Sequence, residues 1–267
     1  AHEIDHALQD QAFDLARFMK ADKHNGDATV ARQAVVEGDA TALMIELSLA
    51  QAGIAGAAAL WSDDQIVAQM TAQIDSAMAT TVAGPTLAQA PLVMRDGLLF
   101  PYVSGLRFVI ALRRTQPWSA IDDVFRKPPL STEHILNPAT YAAYEKPVAV
   151  RVKTPAALAA DRLVYENVTG QAGFSVLLRA HGIATARAET AAMGWGGDRL
   201  MVWAPKDSTT IGRVVAVSRS VWDEEADAIE MFEALSDAVR SIVRGERTVS
   251  EPDRVEQTTL LGRRTRL

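Results

Sequence analysis

Pro147 divides the sequence into two textures, and that division constrains the fold more than any other feature. Upstream, apolar residues recur with helical spacing, and the stretches between breaks are filled with good helix formers. Downstream, β-branched residues start to alternate, as at Val148, Val150 and Val152, and short strand-like runs interleave with helical ones. The chain is therefore predicted to be α+β and predominantly helical. A helical part is expected over residues 1–146, an α+β part with a small antiparallel sheet over 147–245 packed on it, and a frayed polar tail over 246–267.

Within the first part, Ile4, Leu8, Phe13, Leu15 and Phe18 predict a helix over residues 1–20. His24-Asn25-Gly26-Asp27 is a turn signal, and a second helix follows over 28–52, interrupted only by Gly38. Ser62-Asp63-Asp64 caps a third helix running to residue 79, which Gly84-Pro85 breaks. Arg95-Asp96-Gly97 reads as a further break, so the next apolar helix is placed at 98–112. Short helices are expected at 119–125 and after Ser131, with Ser131 as cap. The second part predicts a strand at 148–152 and helices at 170–181, 184–193 and 223–243. It also predicts a hairpin of 199–203 and 213–217 joined by a polar turn at 206–210.

Composition excludes several functions. The 267 residues contain no cysteine, so neither a disulfide framework nor a thiolate metal site is available. With 27 Lys+Arg against 33 Asp+Glu, the net charge of -6 argues against a general nucleic-acid binder. No run reaches the roughly 20 apolar residues of a membrane span; the nearest, residues 47–61, is too short. The chain opens on Ala1-His2-Glu3 without an initiator Met or a signal peptide, which leads us to expect that it was trimmed from a longer precursor.

His2-Glu3-Ile4-Asp5-His6 is an H-E-x-x-H motif. On a helix, positions i and i+4 share one face, and two imidazoles there can reach one ion at about 2.0–2.1 Å. Glu3, on the flank of that face, can act as general base on a metal-activated water. A catalytic zinc needs a third protein ligand, and Gln9 and Phe13 occupy the places where an extended H-E-x-x-H-x-x-G-x-x-H motif would supply one. Glu37 is the best remaining candidate. It is a lone carboxylate inside the apolar run Ala34-Val35-Val36, and Gly38 beside it removes a side chain where helices could approach. Asp39 could accept the free N–H of a ligand imidazole. Glu46 competes as third ligand, and a surface ion pair with Arg32 or Arg17 would explain Glu37 equally simply. The histidines could likewise be two solvated residues of a surface helix.

The run His2-Glu3-Ile4-Asp5-His6-Ala7-Leu8-Gln9-Asp10-Gln11 followed by Glu37-Gly38-Asp39-Ala40-Thr41 resembles a family of bacterial zinc metallopeptidases of the gluzincin type. Phe100-Pro101-Tyr102 with Gly105 and Phe108-Val109, then Trp118, Pro128-Pro129 and Ser131-Thr132-Glu133 extend the resemblance. Gly194-Trp195-Gly196-Gly197-Asp198-Arg199 and Trp222-Asp223 carry it to about residue 240. The resemblance implies one zinc ion held by His2, His6 and Glu37, Glu3 as catalytic base, and a peptide or protein as substrate. It also implies an upstream substrate-binding sheet and a place in the cell envelope or outside the cell. One departure stands out: where the family tends to read Gln-Ile-Leu-His-Pro, this chain reads His134-Ile135-Leu136-Asn137-Pro138. Tyr102 is a candidate donor to a tetrahedral oxyanion, with a core tyrosine as the plainer alternative. The Gly194–Gly197 stretch reads as a tight turn into a strand rather than a ligand loop.

Because the motif begins at residue 2, the chain is expected to be the C-terminal part of a longer peptidase, with its own N-terminal fragment as a partner. By itself it is expected to bind zinc weakly and to cleave peptides poorly. The function predicted is zinc-dependent peptide-bond hydrolysis. The alternative is a non-catalytic zinc-binding or metal-free interaction module on a peptidase-like scaffold.

Overall fold

The computed structural model describes residues 1–53, 68, 86, 89–206, 214–243, 246–251, 254–258 and 264–266. The helix predicted at 62–79, its break at Gly84-Pro85 and most of the turn at 206–210 lie outside the described residues. The structure is α+β and predominantly helical, with a small antiparallel sheet in its C-terminal third. It divides into two units, Ala1–Glu145 and Lys146–Leu267.

The first unit is built on two long helices, α3 (Gly26–Gln51) and α4 (Leu92–Arg113). Asn25 caps α3 by accepting from the Ala28 N–H at 3.0 Å. The inner face of α3 carries Ala28, Ala31, Ala34 and Val35, and that of α4 carries Leu106, Phe108, Val109 and Ile110, all buried. Alanine and glycine dominate the α3 side, so the helices come unusually close. A Cβ added at Gly38 would lie 2.8 Å from Gly105 Cα, and one added at Gly105 would lie 2.8 Å from the Ala34 carbonyl carbon. Gly38 therefore serves the approach of α4, not that of the H-E-x-x-H helix.

Helix α4 does not break at Arg95-Asp96-Gly97 as predicted; it runs unbroken through Gly97 and through Pro101. Proline removes one ladder bond and crowds the carbonyl four residues back. Here that residue is Gly97, around which a Cβ would meet nothing. The packing of the helix against α3 outweighs the local signal.

The N-terminal segment departs further from expectation. Helix α1 (His2–Phe13) stops at Asp14, which adopts the left-handed conformation at φ 55°, and a short α2 (Leu15–Phe18) follows. The Asp14 carboxylate caps α2 by accepting from the Arg17 N–H. The break turns Phe13 onto Phe125, with ring centroids 4.5 Å apart and nearly coplanar, and Phe18 onto the same ring at 4.9 Å. The apolar spacing suggested that Ile4 and Leu8 face the core, yet they are 67% and 54% exposed. The buried residues of α1 are instead Asp5 and Gln9.

Helices α5 (Ser119–Arg126), α6 (Thr132–Leu136) and α7 (Pro138–Ala143) complete the unit. Ser131 stands at the cap of α6 but makes no side-chain capping bond. The buried carboxylate of Asp27 does so from far along the chain, accepting from the Thr132 N–H at 2.9 Å and its hydroxyl at 2.5 Å. His134 is fully buried beside Tyr141 and Tyr144. Its Nδ1 accepts from the Leu130 N–H at 3.4 Å, and its Nε2–H donates to the Glu145 carbonyl at 2.7 Å. Both nitrogens are thus matched only in the neutral ring.

In the second unit, β1 (Asp161–Asn167), β2 (Trp195–Pro205) and β3 (Val215–Trp222) form an antiparallel sheet in the order β1-β2-β3. Asn167 pairs with Leu200, and Trp195 with Trp222. Helices α8 (Gly170–Ala180), α9 (Thr185–Ala192) and α10 (Glu225–Val243) supply Phe174, Leu178, Ala188, Met231 and Ala234 to a core that Trp195 of β2 completes. The run 148–152 is not a strand: it follows β2 through one bond, from the Val148 N–H to the Gly196 carbonyl. The tail expected to fray forms a second antiparallel sheet, β4 (Glu246–Glu251), β5 (Arg254–Thr258) and β6 (Arg264–Arg266).

Two outcomes test this packing. Alanine ordinarily gains about 1 kcal/mol over glycine in a helix, but overpacking two touching backbones costs about 1–3 kcal/mol or more. Gly105→Ala will therefore destabilise the first unit in urea unfolding, whereas Gly97→Ala, with open space around it, will stabilise it. Burial, and secondarily the Lys127 charge, holds the His134 pKa below the usual 6.5, against the raising effect of Glu145. The unfolded chain then binds this proton first, so the contribution of His134 is complete above about pH 6.5 and is lost as pH falls toward its folded value. The stability difference between wild type and His134→Gln will shrink on acidification from about pH 7.5 to 5.5.

Candidate metal centre

Helix α1 brings His2 and His6 onto one face one turn apart, and α3 sets Glu37 opposite them. His2 Nε2 lies 3.2 Å from Glu37 Oε2, His6 Nε2 lies 3.4 Å from the same oxygen, and the two Nε2 atoms are 3.1 Å apart. The rings meet edge to face with centroids 4.6 Å apart. Among the described residues, these three are the group of His, Asp and Glu side chains whose donor atoms converge closely enough to hold a metal ion. A tetrahedral ion with bonds of about 2.0–2.1 Å has ligand–ligand edges of about 3.3–3.4 Å. The observed triangle has edges of 3.1–3.4 Å, so the donor set fits such an ion. All three side chains are partly exposed, which leaves an approach from solvent.

The other candidates fall into place around this triangle. Tyr102, on α4, stacks on His2 with ring centroids 6.2 Å apart and planes 25° from parallel. Burial raises its hydroxyl pKa above the usual value, and the Glu37 carboxylate, which accepts its hydrogen bond, and the charge of Glu3 push the same way. Glu3 is exposed on the solvent side of α1, close enough for its charge to be felt at Tyr102. Glu46 is not at the site; it faces Arg113 at 3.9 Å. Arg32 does not pair with Glu37, because its guanidinium donates to the carbonyls of Phe18 at 2.9 Å and Lys20 at 2.7 Å.

Asp39 does not meet an imidazole directly, because Gln9 stands between. His6 Nδ1 lies 2.9 Å from Gln9 Oε1, and Gln9 Nε2 donates to Asp39 Oδ2 and Asp5 Oδ2, each at 2.9 Å, and approaches the Val36 carbonyl at 3.2 Å. Burial is the main cause that pushes the Asp39 pKa up to about 7; the Gln9 hydrogen bond opposes it, and the charges of Asp5 and Asp122 add to it. Asp5 is raised as well, again mainly by burial. Sequence reasoning missed Gln9, although its signal was local: Gln9 stands three residues after His6 and four after Asp5, the two spacings that share a helix face.

The departure at 134–137 does not reach this site. His134 belongs to the aromatic corner described above, and Asn137 caps α7 by accepting from the Ala139 N–H at 3.2 Å. In the second unit the turn is confined to Met193-Gly194, and Trp195, Gly196 and Gly197, expected to belong to it, already form the start of β2. Trp195 is buried, and its indole N–H donates to Asp198 Oδ1 at 3.0 Å. That buried carboxylate also accepts from the N–H groups of Thr169 and Gly170 at the start of α8. Asp198 therefore anchors a helix to the sheet.

Residues 161–264 match a family described as a domain of unknown function, DUF8575. The match covers the sheet and helices of the second unit and none of the residues of the triangle. No curated protein and no solved structure matches the chain.

Proposed function

We propose that this chain is a zinc-dependent hydrolase of peptide bonds. The observation that carries the reading is the triangle of His2, His6 and Glu37, whose edges suit one tetrahedral cation and leave a side open to solvent. Two imidazoles and a carboxylate favour zinc among the common divalent ions. A zinc ion bound there supplies a Lewis acid for a substrate carbonyl and makes a water molecule more acidic.

The chain's own residues supply the rest. Glu3, on the exposed flank of α1, accepts the proton of the attacking water and returns it to the departing amine. Tyr102, beside His2, gives up its hydrogen bond to Glu37 as substrate binds and turns its one hydroxyl proton toward the oxygen that becomes negative as the carbonyl is attacked. Its raised pKa keeps it a donor across the whole neutral range. The Glu37 carboxylate neutralises part of the cation's charge and holds this hydroxyl beside the site before substrate arrives. A peptide or protein is the substrate class this chemistry serves.

Zinc titration by calorimetry will give one ion per chain. His6→Ala and Glu37→Ala will weaken binding by about 100-fold or more, while Glu46→Ala leaves it unchanged. Glu3→Gln will keep zinc yet lower hydrolysis of a quenched-fluorescent peptide by about 10²–10⁴-fold, and Tyr102→Phe will lower kcat by about 10²-fold at an unaltered zinc affinity. Zinc binding with hydrolysis unchanged in Glu3→Gln would instead make the site a non-catalytic one.

A further inference from the structure

We infer that Gln9 is a positioning residue that fixes which nitrogen of His6 carries its proton, and so turns the Nε2 lone pair toward the ion. The inference rests on the metal-centre reading above and extends it to a residue outside the ligand set.

A neutral imidazole has two tautomers, and only the Nδ1–H form offers Nε2 as a ligand. His6 Nδ1 faces Gln9 Oε1 at 2.9 Å, and an amide oxygen can only accept. Glu37 Oε2 faces the other nitrogen, but at 3.4 Å from Nε2 it is the more distant acceptor, so with the amide in the sense shown the proton lies on Nδ1. The opposite sense would turn NH₂ toward His6 and oxygen toward the interior. The interior forbids it: the other end of the amide faces Asp5 Oδ2 and Asp39 Oδ2 at 2.9 Å and the Val36 carbonyl at 3.2 Å. The Val36 carbonyl cannot donate in any charge state of its neighbours, so the NH₂ end belongs there.

The chain of consequence is short. A backbone carbonyl on α3 sets the sense of a buried amide, the amide sets the tautomer of His6, and the tautomer aims the lone pair. Gln9 is 3% exposed, so water does not compete for either end. His2 has a different support, the stacked ring of Tyr102, and provides an internal comparison.

The test reads the tautomer directly. Long-range proton–nitrogen correlation spectra of the metal-free full chain at about pH 8, where an ordinary histidine is neutral, will show His6 protonated on Nδ1. In Gln9→Leu, His6 will shift toward the Nε2–H form while His2 keeps its pattern, and zinc affinity will fall by roughly 10–100-fold. An Nε2–H signal for His6 in the wild-type chain would overturn the inference, and that measurement needs no variant to fold. So would a Gln9→Leu chain with native circular dichroism, unchanged tautomer and unchanged zinc affinity. Wild-type chain that shows the Nδ1–H form but takes up no zinc would overturn the metal reading alone, which keeps the two failures apart.

Discussion

The backbones of α3 and α4 touch where Gly38 meets Gly105, and the donor triangle depends on that contact. Glu37 precedes one of these glycines, and Tyr102 lies one helical turn before the other. Any side chain at the crossing would separate the two helices and with them the carboxylate and the phenol. Close approach also has an electrostatic consequence. It narrows the space around Glu37, so the carboxylate is held among helix surfaces rather than in bulk water, where a cation gains more from it. The same crowding that excludes water would be costly for an unpaired charge.

The groups around the triangle form a graded series from interior to solvent. Asp5 and Gln9 are buried, Asp39 is half-buried, and the Gln9 amide donates to both carboxylates. His2, His6 and Glu37 are partly exposed, and Glu3 is exposed. Hydrogen-bonded groups thus sit behind the candidate ligands, while Glu3, proposed for proton transfer, is open to solvent. Such an order is what a site needs if its ligands are to be preorganised and its base accessible.

How much of this was legible in the sequence follows from the range of each interaction. His2, His6 and their shared helix face are encoded within five residues, and Glu37 announces itself as an acid in an apolar run. The β2–β3 hairpin and α10 were equally readable from period and turn residues. Strand β1 was not, because four of its central residues are exposed on both faces and leave no alternation to read. The cap on α6 was assigned to its neighbour Ser131, but Asp27 provides it from 105 positions away, a pairing that no local rule contains. Helix α4 was started too late because Arg95-Asp96-Gly97 reads as a break in isolation, and only the crossing with α3 overrides it. The tail was read as frayed because its composition is polar, whereas its strands pair with one another.

Helix α1 is amphipathic in reverse: its buried residues are Asp5 and Gln9, and its exposed ones include Ile4 and Leu8. Ordinary core helices are held by removing apolar surface from water, a force that carries a large heat-capacity change and fades on cooling. The N-terminal turns of α1 are attached instead by hydrogen bonds and by the charges around Glu37. Their detachment therefore involves little change in heat capacity, and the triangle of His2, His6 and Glu37 is decoupled from the temperature curve of the core beneath it. A chain of this design can lose or regain the first turns of α1 while α3 and α4 stay packed.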